Sequence, residues 1–76
     1  MKQLIHFIAQ SLVDYPTAVD VAEVQGGRTS VVKLKVAKND IGKIIGKRGR
    51  TAQAIRTIIS AVSAKEKKRT VLEIIE

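Results

Sequence analysis

Apolar residues recur with different periods along this chain, and each change of period marks an element. Leu4, Ile8, Leu12 and Tyr15, with Ile5 and Phe7 beside them, return at helical spacing, and Pro16 ends the run because proline cannot continue a helix. The spacing predicts an amphipathic helix over residues 2 to 14. Val19, Val21 and Val24 are β-branched, Gly26-Gly27 follows as a turn signal, and Val32, Leu34 and Val36 then alternate with Lys33 and Lys35 at the period of a half-buried strand. The two segments read as a hairpin. Asn39 and Asp40 are favoured N-caps for the short run Ile41-Gly42-Lys43-Ile44-Ile45, which the glycine-bounded tetrapeptide at 46 to 49 interrupts. Ala52, Ile55, Ile58, Ile59 and Val62 mark the buried stripe of a further helix from Arg50 to Ala64. A charged connection, Lys65 to Arg69, leads to a last strand, Thr70 to Glu76, with Leu72 and Ile74 on one side.

The resulting order, α-β-β-α-α-β, predicts an α+β fold: a three-stranded mixed sheet covered on one face by three helices. The second and third strands are joined through two helices, so they can lie parallel with a right-handed crossover. At 76 residues the chain is expected to form one domain, residues 1 to 76, burying only ~60% of the surface its unfolded state exposes. Val31, Val71 and Ile75 are expected on the barer sheet face, where apolar surface left by so thin a core favours self-association.

Charge sharpens this picture. Residues 1 to 32 hold two basic groups against three acidic ones, a net of −1, whereas residues 33 to 69 hold twelve against two, a net of +10. Basic charge concentrated in this way predicts a polyanionic partner. The chain has no cysteine, which excludes disulfides, thiolate chemistry and cysteine-based zinc sites. His6, Gln10 and Ser11 interrupt what would have to be an apolar signal region, and no stretch is long enough to span a bilayer. A cytoplasmic protein without a membrane partner is the expectation.

The candidate chemistry lies in Gly46-Lys47-Arg48-Gly49. Without a Cβ at Gly46 and Gly49, a phosphodiester backbone can come close to the main chain. Lys47 and Arg48 bring charge to that point, and the following helix adds its free N–H groups and the positive end of its dipole. Arg50, in the first turn of that helix, reaches the same strand of nucleic acid. A glycine-bounded tetrapeptide alone is a weak signal, since a plain connection between two helices satisfies it equally well.

The surrounding residues strengthen it. Ile44-Ile45-Gly46-Lys47-Arg48-Gly49-Arg50-Thr51-Ala52-Gln53-Ala54-Ile55 resembles the KH-domain signature, in which a hydrophobic pair precedes GxxG and an isoleucine follows in the next helix. The element order is similar to the type II, prokaryotic arrangement, and the resemblance to small stand-alone bacterial members covers essentially the whole chain. It implies a groove for about four unpaired nucleotides, with GxxG on the backbone side and aliphatic residues under the bases. Ile41, Ile44, Ile45 and Val36 are the candidates for that floor. Gly42 is read as a small residue that admits a base or a neighbouring helix, and Lys43 as a further contact. The resemblance also implies single-stranded RNA as ligand, no cofactor, a homodimer, and pairing with a larger Jag-type KH protein. It points to an RNA chaperone or post-transcriptional regulator linked to cell elongation and division.

Other readings fit less well. Gly42 to Arg48 has three residues between its glycines where a P-loop has four, and Arg48 stands where Ser or Thr would hold magnesium. His6 has no second ligand, and the seven carboxylates are scattered, so neither a metal site nor an enzyme is expected. A helix-turn-helix reader of duplex DNA would present several polar side chains to the major groove, and residues 50 to 63 offer little beyond Arg50, Gln53, Arg56 and Thr57. Single-stranded DNA stays open as a ligand, as does a KH fold used purely for dimerisation. With only Phe7 and Tyr15 as aromatics, base stacking platforms are expected to be absent.

Overall fold

Residues 1–75 are described by the computed structural model, so the predicted extension of the last strand to Glu76 lies outside the described residues. The elements run α1 (Lys2–Leu12), β1 (Asp20–Gly26), β2 (Thr29–Lys35), α2 (Ile41–Ile45), α3 (Arg50–Lys65) and β3 (Arg69–Ile75). Single 3-10 turns at Pro16–Ala18, Lys38–Asp40 and Lys47–Gly49 join them. This is the α-β-β-α-α-β order of a type II KH fold, and no described helix is long and apolar enough to cross a membrane.

The sheet order is β1-β2-β3, with β1 antiparallel and β3 parallel to the central β2. Gly27 makes the hairpin connection with φ of 61°, a conformation that glycine adopts at no steric cost. Alternation along the strands sends Val21, Val32, Leu34 and Leu72 to the helix side, where they pack against Ile5 and Ala9 of α1, Ile44 of α2, and Ile55 and Ile59 of α3. The opposite face is uncovered. There the register sets Val24, Val31 and Val71 in one row across all three strands, beside a row of Ala22, Lys33 and Glu73. Val31, Val71 and Ile75 thus share the bare face, as expected.

The first helix departs from its predicted phase and length. Its buried residues are Ile5 and Ala9, with Met1, Ile8 and Val13 packed beside them, while Leu12 and Tyr15 are exposed. The stripe at Leu4, Ile8 and Leu12 and the one at Met1, Ile5 and Ala9 are both apolar at i, i+4 spacing. Only packing on the sheet chooses between them. Helix α1 ends at Leu12 because Val13 turns to extended backbone (φ −99°, ψ 160°), and Pro16 opens the next turn instead of ending the helix.

Asp40 stands at the N-cap position of α2, as expected, but its side chain makes no capping bond there. Its fully buried carboxylate accepts the backbone N–H groups of Asp14 (3.2 Å) and Tyr15 (3.0 Å), tying the end of the α1 segment to the start of α2. Two charge-assisted bonds satisfy a group whose burial would otherwise cost several kcal/mol.

Candidate nucleic-acid interface

The loop between α2 and α3 is built from left-handed backbone. Helix α2 stops at Gly46 (φ 76°, ψ 171°), whose N–H donates to the Gly42 carbonyl at 2.8 Å. A single tight turn follows, closed by Gly49 N–H on the Gly46 carbonyl at 3.0 Å, and Gly49 itself lies at φ 72°. Arg48, between them, also takes positive φ (58°), unfavourable for a residue with a Cβ. The strain falls on the residue whose guanidinium the turn carries outward. Helix α3 then starts at Arg50 with no side chain capping its first N–H groups, which leaves them available to an anion.

The two glycines serve different purposes. A Cβ on Gly46 would stand 2.1 Å from Thr51 Oγ1 and 2.6 Å from Thr51 Cβ, so the space beside Gly46 is filled by the protein's own first turn of α3. That corrects the expectation that both glycines admit a phosphodiester. Beside Gly49 the space is open. Lys47, Arg48 and Arg50 line a cavity of about 170 Å³ at this turn, bringing together three of the expected contact residues.

The expected floor divides. Ile44 is 0% and Val36 5% exposed, both closed within the core, so they hold the platform up without reaching a ligand. Ile45 is 39% exposed and Ile41 half-buried, which leaves these two to present apolar surface beside the loop. Gly42 faces open space, so close approach of a neighbouring helix is not its reason. Lys43 is engaged: its ammonium donates to Asp14 and lies 3.6 Å from Asp40 Oδ1. The bond to Asp14 raises the Lys43 pKa above the ordinary 10.5, partly offset by desolvation. Stability from a raised lysine pKa is fully present below 10.5 and is lost only as the pH climbs through the higher folded value, so the pair is intact throughout the neutral range.

A second cleft, about 410 Å³, opens between α3 and β3 and was not legible from spacing. Arg56, Lys68 and Arg69 stand around Ser60, Ser63 and Thr70, with Ser63 Oγ donating to Thr70 Oγ1 at 2.5 Å. The available signal was Ser63, a polar residue buried in the aliphatic stripe of α3 next to the basic segment 65–69.

The model for the KhpA/KhpB KH domain matches residues 2–74 of this chain. The chain belongs to the KhpA/KhpB KH-domain family. Among similar members is the RNA-binding protein KhpA of Clostridium acetobutylicum, 57% identical over 75 residues, which are 99% of this chain and 100% of that one. KhpA of Chlamydia trachomatis is 49% identical over 76 residues, 100% of this chain and 97% of the relative. The KH fold also aligns with the Era protein of Aquifex aeolicus at a TM-score of 0.62 and 21% identity, covering 96% of this chain but 28% of the Era chain, a likeness of fold alone.

Proposed function

We propose that this KH domain binds single-stranded RNA, the backbone held at Gly46 to Arg50 and the bases over Ile41, Gly42 and Ile45. The observation that carries the reading is the cluster of Lys47, Arg48 and Arg50 around one small cavity at the uncapped start of α3. Phosphate oxygens find both charge and backbone donors there. The names of the KhpA relatives, RNA-binding proteins matched along their whole length, support the same reading. A short aliphatic floor without a stacking aromatic favours modest affinity and broad sequence tolerance. In the cell such a domain would act as a post-transcriptional regulator or RNA chaperone, self-associating and pairing with the larger Jag-type protein KhpB in the control of elongation and division.

Titration with short RNA oligomers tests the core of this reading. For a groove of about four nucleotides, neutralising three or four phosphates, the slope of log affinity against log salt should be about −2 to −3. Lys47→Asp combined with Arg48→Asp should abolish binding while shifting stability by no more than ~0.5 kcal/mol, because both side chains are exposed. If the double variant folds and binds with wild-type affinity and slope, the loop is not the phosphate clamp.

A further inference from the structure

Among the described residues, the ion pairs all converge on Lys43. It lies on α2 between Gly42 and Ile45, two of the positions that the reading above sets beneath the bases, yet its charge is already paired. Its two carboxylate neighbours are unlike. Asp40 is fully buried and committed to two backbone N–H groups, a fixed part of the framework. The Asp14 side chain is 68% exposed and that of Lys43 45%, so solvent and solutes reach the bond between them. An exposed pair of this kind is weakly held and exchanges with competing anions.

We propose that Asp14 occupies Lys43 in place of a nucleic-acid phosphate, making Lys43 a masked phosphate ligand and Asp14 an internal competitor that holds the domain's affinity down. The inference rests on the single-strand reading given above. A carboxylate and a phosphodiester each bring one negative charge and two acceptor oxygens to an ammonium. The carboxylate is tethered through Asp14 N–H to Asp40, so it competes at a high effective concentration. Exchanging Asp14 for a phosphate also releases no extra counterion, so Lys43 is silent in the wild-type salt dependence.

Removing the competitor exposes the ligand. Asp14→Asn keeps the backbone bond to Asp40, and should bind a single-stranded RNA oligomer about two- to fivefold tighter at low salt, the range of an exposed ion pair. Its salt slope should steepen by about 0.7, one additional single-strand phosphate. Two controls separate this from a general change of charge: Asp20→Asn, an equal change at an exposed residue of β1, and Asp14→Asn in a Lys43→Gln background. Masking requires that Asp20→Asn bind like wild type and that the gain vanish without Lys43. An absent gain, an equal gain in Asp20→Asn, or a gain that survives Lys43→Gln overturns it. Thermal melts of all variants accompany the titrations. The Lys47→Asp, Arg48→Asp pair runs alongside: if it binds normally, the loop reading falls on its own account and the Lys43 arms still decide the masking.

Discussion

Gly46 and Gly49 look equivalent in the sequence, and the backbone makes both left-handed, yet their substitution should have unequal effects. Alanine at Gly49 meets open space and bears only the cost of positive φ, about 1 kcal/mol. At Gly46 (φ 76°, ψ 171°) the backbone lies in a region essentially open to glycine alone, and that larger cost is joined by overlap with the Thr51 side chain and backbone nitrogen, which the first turn of α3 cannot relieve without moving. We expect Gly46→Ala to lose at least 1 kcal/mol more than Gly49→Ala in urea unfolding, in the upper part of the strain range. Equal losses would mean that the loop reshapes freely. The division of labour was not legible beforehand, because spacing reports that glycine is required and not which neighbour requires it.

At the scale of elements, legibility follows how local the cause is. The Val32 to Val36 alternation and the Gly46 to Gly49 interruption are properties of a few consecutive residues, and β2, α2 and α3 lie where those patterns put them. Helix α1 carries two apolar stripes, so its rotation depends on a sheet contributed from elsewhere in the chain. Ile44 and Ile45 make the same point in one step of helix: identical side chains about 100° apart, one at 0% exposure and one at 39%. Ile44→Ala should cost 2–5 kcal/mol by opening a cavity in the core. Ile45→Ala should cost far less stability and weaken oligomer binding instead. Paired denaturation and binding measurements check this, and the assignment of Ile45 to the ligand side fails if its removal leaves affinity untouched. Asp40 holds the N-cap position its spacing predicted, but where its carboxylate bonds was not legible, since the partners lie 25 and 26 positions away.

Taken whole, the molecule gathers Lys47, Arg48 and Arg50 at the loop between α2 and α3 and its bare valines on the uncovered sheet face, and the two can be probed separately. Val24 is 56% and Val71 39% exposed in a row with Val31 across the sheet, bordered by Lys33 and Glu73. If self-association hides this row, Val71→Lys should weaken it in sedimentation velocity while changing stability little and leaving the loop's affinity for RNA per protomer unchanged. An unaltered association state would direct attention to other exposed apolar residues, such as Ile58 on α3.

The pairing of β2 with β3 joins residues forty positions apart along its entire length, from Thr29 with Arg69 to Lys35 with Ile75. The β1–β2 hairpin, by contrast, joins Gly26 with Thr29 at its turn and Asp20 with Lys35 at its far end. Closing a forty-residue segment costs ~3 kcal/mol of chain entropy before any contact across it is made. The segment to be gathered in is the one that carries α2, the loop and α3. The basic tetrapeptide therefore gains its full platform only when β3, the last of the strands, pairs with β2. Until that pairing forms, the chain has the charges of the clamp but not the platform that orients them.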